Sequence, residues 1–271
     1  MPEPSSADIP AGLDPRVRSF YLHAMRLLDE AGVPYMVGGA YSLAQHAGIV
    51  RHTKDLDLFI RRAHFDPAVR TLGSAGYHAE LIFPHWLGKA FHGDAFVDLI
   101  FGSGNGLCPV DDEWFAHAID GEALGRAARL CPAEEIIWTK SFVQERERFD
   151  GADIAHLLLA RGPELDWPRL VRRYGPHVRV LLVHLVMFGF TYPAHRTNVP
   201  AWVMEQLLDH VRGELNENEE TRLCRGTLLS RQQYLVDIAE RGFVDARRMV
   251  AGGNMSDADI RHWTAAIDTA K

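Results

Sequence analysis

Two aspartates stand inside an apolar, strand-like segment, and this feature constrains the fold more than any other. Residues 51–60 read RHTKDLDLFI, in which Asp55 and Asp57 alternate with Leu56 and Leu58. Side chains alternate across a β-strand, so the two carboxylates share one face, with their Cα atoms ~6.6 Å apart. Like charges this close repel each other unless a cation lies between them or one carboxylate is protonated. The segment therefore predicts a strand with one apolar face and a cation site on the other.

A third aspartate interrupts another apolar segment in the same way. In AFVDLIF (95–101), Asp98 stands between Val97 and Leu99. If this strand neighbours the first one, three carboxylates meet on one patch, as a phosphoryl-transfer site with divalent metal ions requires. Mg²⁺ takes oxygen ligands, usually one or two carboxylates together with substrate phosphates. Taken singly, each aspartate is explained equally well as a solvated residue of an edge strand.

A glycine pair precedes these strands. Gly38 and Gly39 follow the apolar segment VPYMV (33–37) and open a predicted helix over 40–48, with Ser42 in its first turn. Backbone N–H groups without neighbouring Cβ atoms can approach an anion closely, and a helix N-terminus adds partial positive charge. The pattern is consistent with a phosphate site, although a plain tight turn explains the glycines as well.

The order of the predicted elements indicates an α+β fold. An amphipathic helix over 16–31 precedes the strands, a hairpin is predicted over 87–102, and from about residue 131 one helical pattern follows another. We therefore predict a loose N-terminal arm (1–15), a mixed α/β core (16–130) and a helical C-terminal domain (131–271). The apolar segment 178–190 is expected to be a buried helix.

Composition narrows the class of protein further. The chain has 271 residues, 47% of them hydrophobic, a formal net charge of −7 and three separated cysteines. These values favour a globular protein of a reducing compartment, and no apolar segment reaches the ~18 residues of a membrane span, so we expect a cytoplasmic protein without a membrane partner. The acidic balance disfavours a polyanionic partner for the surface as a whole. The helical half could still carry a local basic groove around four arginines: Arg169, Arg172, Arg173 and Arg179.

The succession GG-AYS, KDLDLF and FVDLIF resembles the nucleotidyltransferase superfamily with the DNA polymerase β-type fold. The resemblance covers residues 33–101 and implies a small mixed β-sheet core flanked by helices, with Mg²⁺ (or Mn²⁺) as cofactor and an NTP as substrate. By this resemblance, the phosphates are bound by Gly38, Gly39 and Ser42, and the metal by Asp55, Asp57 and Asp98. Asp98 would also deprotonate the attacking hydroxyl.

Two further motifs resemble the AbiEii and mycobacterial MenT nucleotidyltransferases. RHTKDLD fits an R-x-T-x-D-x-D pattern, which implies that Arg51 contacts the triphosphate or a site aspartate, although a surface role is equally open. The segment 140–158 resembles a second element of these enzymes, which makes Lys140 a triphosphate ligand supported by Asp150 and Asp153. A structural explanation also exists, because Asp150 can cap the next helix with Asp153 completing a capping box.

The predicted activity is the transfer of an NMP from an NTP to an acceptor hydroxyl, with release of pyrophosphate. The acceptor can be an RNA 3′ end, a protein or a small molecule. Two alternatives use the same fold: a non-catalytic nucleotide-binding or regulatory module, and the toxin component of a toxin–antitoxin pair with an antitoxin-like partner.

Overall fold

The computed structural model describes residues 13–51, 53, 55–214, 222–250 and 255–266. Most of the predicted N-terminal arm, residues 1–12, lies outside the described part. The chain forms two compact units, residues 1–132 with Arg261–Trp263 and residues 133–260 with 264–271. The domains proposed over 16–130 and 131–271 stay a prediction, because a compact unit is not by itself an independently folding domain.

The first unit is built on a mixed sheet of seven strands in the part of the chain that the structure describes. Its elements are α1 (Pro15–Glu30), β1 (Met36–Val37), α2 (Gly39–Ala47), β2 (Asp55–Phe59), α3 (Phe65–Ser74), β3 (His78–Phe83), β4 (Leu87–His92), β5 (Ala95–Ile100), α4 (Asp112–Ala116), β6 (Ile119–Ala123) and β7 (Arg126–Leu130). The strand order is β3-β4-β5-β2-β1-β7-β6. Strands β2 and β5 are parallel neighbours, while β1 pairs antiparallel with β2.

Helices α1 and α3 cover one face of this sheet. Phe20 and Leu28 of α1 belong to the same core cluster as Leu56 and Leu58 of β2, and all four side chains are buried. The alternation along β2 therefore separates an apolar face under these helices from a polar face that carries the aspartates. The sequence prediction for this strand is confirmed in its type and in its two-sided character.

The second unit consists mainly of helices. Its elements are α5 (Ala133–Ser141), α6 (Gly151–Arg161), α7 (Trp167–Tyr174), α8 (Val178–Thr191), α9 (Ala201–Glu214), β8 (Leu223–Cys224), α10 (Leu235–Ala239), β9 (Val244–Asp245) and α11 (Asp257–Ala265), of which Arg261–Trp263 cluster with the first unit. The predicted α+β class, a small mixed sheet with flanking helices followed by a helical part, is confirmed.

Helix α8 departs from the prediction of a fully buried helix. Its exposed hydrophobic residues recur at helical spacing and form one stripe, made of Val183, Val186, Met187 and Phe190. Phe190 is 87% exposed. Apolar composition all round the helix thus does not imply burial all round it. No helix in the described part of the chain combines the length and apolar character that a membrane span needs.

Three of the four arginines named for a local basic groove in the helical half pair with carboxylates. Arg169 is buried and pairs with the carboxylate of Glu135, which also binds Arg173 at 3.2 Å. Arg179 pairs with Glu214. These three cations are balanced by carboxylates within the same unit, so they stabilise helix packing and leave little charge for a polyanion.

Candidate active site

The structure brings Asp55, Asp57 and Asp98 together on one face of the sheet. Asp57 on β2 and Asp98 on β5 stand opposite each other in the parallel register, and Asp55 lies two residues before Asp57. One carboxylate oxygen from each residue lies within 4.8 Å of the others. Three carboxylates at this spacing can hold a divalent cation, because hard cations take several oxygen ligands at 2–2.6 Å.

A lysine faces the third carboxylate. Lys89 on β4 is the register partner of Asp98, and its ammonium lies 2.7 Å from the Asp98 carboxylate. The ammonium also lies 3.6 Å from the ring centre of Phe96, a cation–π contact. Lys89 therefore balances the charge of the Asp98 carboxylate.

Burial affects the chemistry of Asp98. Removal from water raises the pKa of its carboxyl above the ordinary value, and Asp55 acts in the same direction, while the ammonium of Lys89 opposes the shift. A buried carboxylate with a raised pKa is a better proton acceptor than a solvated one. The direction of this shift is compatible with general-base work by Asp98.

The two glycines let the turn approach the strands. A Cβ on Gly38 would lie 2.2 Å from the ring of Phe59, and a Cβ on Gly39 would lie 1.8 Å from a carboxylate oxygen of Asp57. Gly39 also has a φ of +55°, in the left-handed region that favours glycine. The Asp57 carboxylate thus lies against the N-terminus of α2, where the partial positive charge of the helix stabilises an anion.

The first turn of α2 offers backbone donors, although not from Gly38. The Gly38 N–H donates to the carbonyl of Asp57 at 2.9 Å and so belongs to the sheet. The N–H groups of Gly39, Ala40 and Tyr41 come first in the helix, where α-helical N–H groups have no intrahelical acceptor. A phosphate at this helix end would therefore be bound by these three groups.

Thr53 and Tyr41 border the carboxylates. Thr53 donates a hydrogen bond to the carboxylate of Asp55. The hydroxyl of Tyr41 is buried without a hydrogen-bond partner among the described residues, and burial together with the nearby Asp55 raises its pKa to about 12, so it is a neutral donor at pH 7. Arg51 is exposed and lines a small hollow with Tyr41 and Glu122.

The side chain of Ser42 is engaged within the fold. Its side chain is fully buried, and its hydroxyl donates to the carbonyl of Cys131 at 3.2 Å. His46, one helical turn later, contacts the same carbonyl at 2.8 Å. Ser42 thus fastens α2 to the segment after β7, and we leave it out of the phosphate site that the family resemblance implied.

Replacing Ser42 with alanine is expected to lower the free energy of unfolding by about 1 kcal/mol, since one buried hydrogen bond is lost while His46 still contacts the carbonyl. Nucleotide affinity should stay within a factor of about two. Chemical denaturation and calorimetric titration with an NTP measure the two quantities. A large loss of affinity with unchanged stability would restore the serine to the phosphate site.

Lys140, Asp150 and Asp153 form a buried ion cluster in the second unit. The ammonium of Lys140 lies 2.9 Å from Asp150 and 2.8 Å from Asp153. Arg148 also binds Asp150, and although burial alone would raise the pKa of this carboxyl, its contacts with Arg148 and Lys140 lower it. Asp150 occupies the N-cap position of α6 but makes no side-chain capping bond, so the predicted capping box is wrong. Its carboxylate binds cations instead.

Sequence reasoning missed Lys89 and Tyr41. The alternation along the hairpin places Lys89 on one of two faces, but only the register with β5 makes it the partner of Asp98. Tyr41 lies between the glycines and Ser42, and its aromatic ring gives no sign in the sequence of which way its hydroxyl points. The available signal for Lys89 was its position in an otherwise apolar strand.

Comparisons with known proteins give remote structural similarities. No protein-family model and no curated protein match the chain. Among solved structures, the antibiotic-resistance factor ANT(2'')-Ia is 18% identical, with a TM-score of 0.38 over 75% of this chain and 95% of that one. LnuA, a lincosamide antibiotic adenylyltransferase, is 16% identical, with a TM-score of 0.38 over 54% of this chain and 96% of that one.

A third similar structure is an antigenic nucleotidyltransferase-like protein from Paracoccidioides brasiliensis, 14% identical, with a TM-score of 0.41 over 68% of this chain and 93% of that one. A particular closeness to AbiEii or MenT enzymes is not shown. The similarities are too weak to decide the activity, which has to be derived from the residues of the site.

Proposed function

We propose that the chain is a metal-dependent nucleotidyltransferase that moves an NMP from an NTP to an acceptor hydroxyl and releases pyrophosphate. The observation that carries this proposal is the cluster of Asp55, Asp57 and Asp98, with one oxygen of each within 4.8 Å of the others. The cluster lies beside the N-terminus of α2, so metal ligands and phosphate donors are adjacent.

The residues present fit a divalent cation. The cluster offers only carboxylate oxygens, which suit Mg²⁺ or Mn²⁺ better than softer metals. Lys89 pairs with Asp98, and a divalent ion would add positive charge where the three carboxylates converge. Asp55, Asp57 and Asp98 would hold the ion. When bound, Mg²⁺ supplies charge neutralisation on the triphosphate and on the developing oxyanion.

Groups of the protein itself would position the triphosphate and deprotonate the acceptor hydroxyl. The first-turn N–H groups of α2 would bind the phosphates and hold the triphosphate against the carboxylate face. Asp98 would accept the proton of the acceptor hydroxyl, whose oxygen then forms a bond to the α-phosphorus. The bond from the α-phosphorus to the bridging oxygen breaks, and pyrophosphate leaves in line with the attack.

The triphosphate roles of Arg51 and Lys140 stay predictions. Arg51 is exposed next to the strand that carries the site, which is compatible with a phosphate contact. The ammonium of Lys140 forms ion pairs with Asp150 and Asp153. That these two aspartates also support the active site is a prediction that does not follow from the ion pairs. The toxin role and the antitoxin-like partner remain hypotheses that the neighbouring genes would test.

One observation favours the alternative of a non-catalytic nucleotide-binding module. The ion pair between Lys89 and Asp98 gives one carboxylate a cation supplied by the protein itself, as in a site that has lost its metal. Calorimetry separates the two functions. The enzyme should bind an NTP tightly only with Mg²⁺, whereas a degenerate module should bind it equally well in EDTA or not at all.

The activity is tested with labelled nucleotides. The purified chain is incubated with Mg²⁺ and each of the four α-labelled NTPs, in separate reactions with RNA, protein fractions and a small-molecule extract. We expect transfer of label to one acceptor class, formation of pyrophosphate, and loss of both in EDTA. If no acceptor becomes labelled and no NTP shows Mg²⁺-dependent affinity, the proposal is wrong.

Replacing Lys89 with glutamine should make the stability of the protein depend more strongly on Mg²⁺. In EDTA the variant leaves three close carboxylates without the lysine, which we expect to lower the free energy of unfolding by about 2–3 kcal/mol. Because a bound cation restores the balance, Mg²⁺ should raise the melting temperature more for the variant than for the wild type. Thermal unfolding with and without Mg²⁺ measures this difference.

Arg129→Gln provides the matched control, since Arg129 forms an exposed pair with Asp120 at 3.4 Å, away from the cluster. Its response to Mg²⁺ should equal that of the wild type. Equal Mg²⁺ responses of the Lys89 variant and the wild type would contradict a metal site at these carboxylates.

A further inference from the structure

An open groove of about 780 Å³ runs beside α1 in the first unit. Among the described residues that line it there are four arginines and two histidines, and none of the lining residues is an aspartate or glutamate. The whole chain carries a formal net charge of −7. The groove is therefore a local basic surface on an acidic protein, and it contains none of the three site aspartates.

The charge of the groove is only partly balanced by its surroundings. Arg126 pairs with Asp29 at 2.6 Å, and Arg26 lies 3.6 Å from Glu30 in an exposed pair. In the described part of the chain, Arg16 makes no ion pair and its side chain is exposed. Arg18 donates to the carbonyl of Leu124 at 2.7 Å and likewise has no carboxylate partner there. Two guanidinium groups in this groove thus keep their charge for an anion.

Aromatic rings line the same groove as these cations. The Tyr77 ring lies 4.9 Å from that of Phe20 and 5.4 Å from that of His92, measured between ring centres, and both contacts are edge-on. The hydroxyl of Tyr77 lies 2.6 Å from Nδ1 of His23, which holds the ring in place. His92 is exposed, and Tyr77 is half-buried. Fixed rings beside unpaired arginines are the combination by which proteins bind single-stranded nucleic acid, with bases stacked on rings and phosphates on cations.

We infer that this groove binds a single strand of nucleic acid, with phosphates at Arg16 and Arg18 and bases against His92 and Tyr77. Polycationic small molecules are repelled by the same lining, whose described residues include no carboxylate. Binding at the groove requires neither the metal site nor a triphosphate. The groove would hold the body of an RNA or DNA acceptor, a role that rests on the proposed nucleotidyl transfer.

The test is fluorescence anisotropy with a labelled 12-nucleotide RNA on the full chain, in EDTA and without NTP. Wild-type protein should bind in low salt, with an affinity that falls as salt rises at a log–log slope of about −1.5 to −3, as expected for two to four phosphate contacts. Arg16→Glu should weaken binding about tenfold or more and flatten this slope. His92→Ala should weaken binding about fivefold or more and leave the slope unchanged, because a stacking contact carries no charge.

Arg212→Glu is the matched control for charge. Arg212 is an exposed arginine outside the groove, paired with Asp209 at 2.6 Å, and its variant should bind the RNA within about twofold of the wild type. The inference is overturned if wild-type protein does not bind the RNA in low salt, or if Arg16→Glu and Arg212→Glu weaken binding equally. Binding to vesicles of phosphatidylserine without binding to RNA would overturn it as well, in favour of a membrane surface. Because EDTA removes metal chemistry, these outcomes are independent of the transfer assay.

Discussion

Replacing Asp57 with asparagine is expected to reduce nucleotidyl transfer by about 10³-fold or more, equivalent to ~4 kcal/mol of transition-state stabilisation. Asparagine keeps the shape of the side chain but removes the charge at the centre of the cluster, where Asp57 stands opposite Asp98 and against the N-terminus of α2. The fold should persist, because the substitution removes one of three like charges that repel each other in metal-free protein. Steady-state rates with the acceptor found in the transfer assay measure the effect.

The same variant should lose the increase in melting temperature that Mg²⁺ gives to the wild type. Asp120→Asn is the matched control, because the Asp120 side chain is 95% exposed and lies on β6 of the same sheet. Its activity and its response to Mg²⁺ should remain those of the wild type. Full activity of the Asp57 variant would remove the carboxylate cluster from the mechanism, whatever the stability data show.

Replacing Gly39 with alanine is expected to reduce transfer by about 10²-fold and to lower the free energy of unfolding by at least ~2 kcal/mol. An alanine Cβ at this position would lie 1.8 Å from a carboxylate oxygen of Asp57, so the carboxylate has to move away from the helix N-terminus. Displacement of a catalytic group by about 1 Å can cost ~10²-fold in rate. The left-handed backbone adds ~1–2 kcal/mol of strain for a residue with a side chain.

Gly32→Ala separates backbone strain from displacement of the carboxylate. Gly32 also has a left-handed backbone, with φ +65°, but a Cβ there would meet no atom within 4 Å. We expect this control to lose about 1 kcal/mol of stability and to keep its activity. Unfolding curves and transfer rates of both variants provide the comparison. Equal activities in the two variants would mean that Gly39 is needed only for its left-handed backbone conformation and does not position Asp57.

Local periodicity was enough to predict the strand that carries the site. Alternation of Asp55 and Asp57 with two leucines gives any extended chain one polar and one apolar face. In the structure, Leu56 and Leu58 belong to the hydrophobic core under α1. The glycine pair likewise predicted a turn into a helix, which begins at Gly39. The two-sided strand and the turn into a helix depend only on residues a few positions apart, so both can be predicted from the sequence.

Contacts between segments that are distant in sequence could not be predicted. Ser42 was assigned to a phosphate from its place after the glycines, yet its hydroxyl bonds the carbonyl of Cys131, 89 residues away. Asp150 was open to two roles, support of Lys140 or a cap of the next helix, and its carboxylate binds Lys140 without making a side-chain capping bond. In both cases the residue type was compatible with two roles, and packing in the folded chain selected one.

By itself the sequence determined which residues carry charge, which face of each strand they occupy and where the first helices begin, since these follow from backbone periods of two and 3.6 residues. Only the tertiary structure decided that β5 lies parallel to β2, which places Asp98 beside Asp57 and Lys89 beside Asp98. Strand order is chosen by burial and pairing over the whole sheet, so no local pattern encodes it. The carboxylate cluster is a property of that pairing.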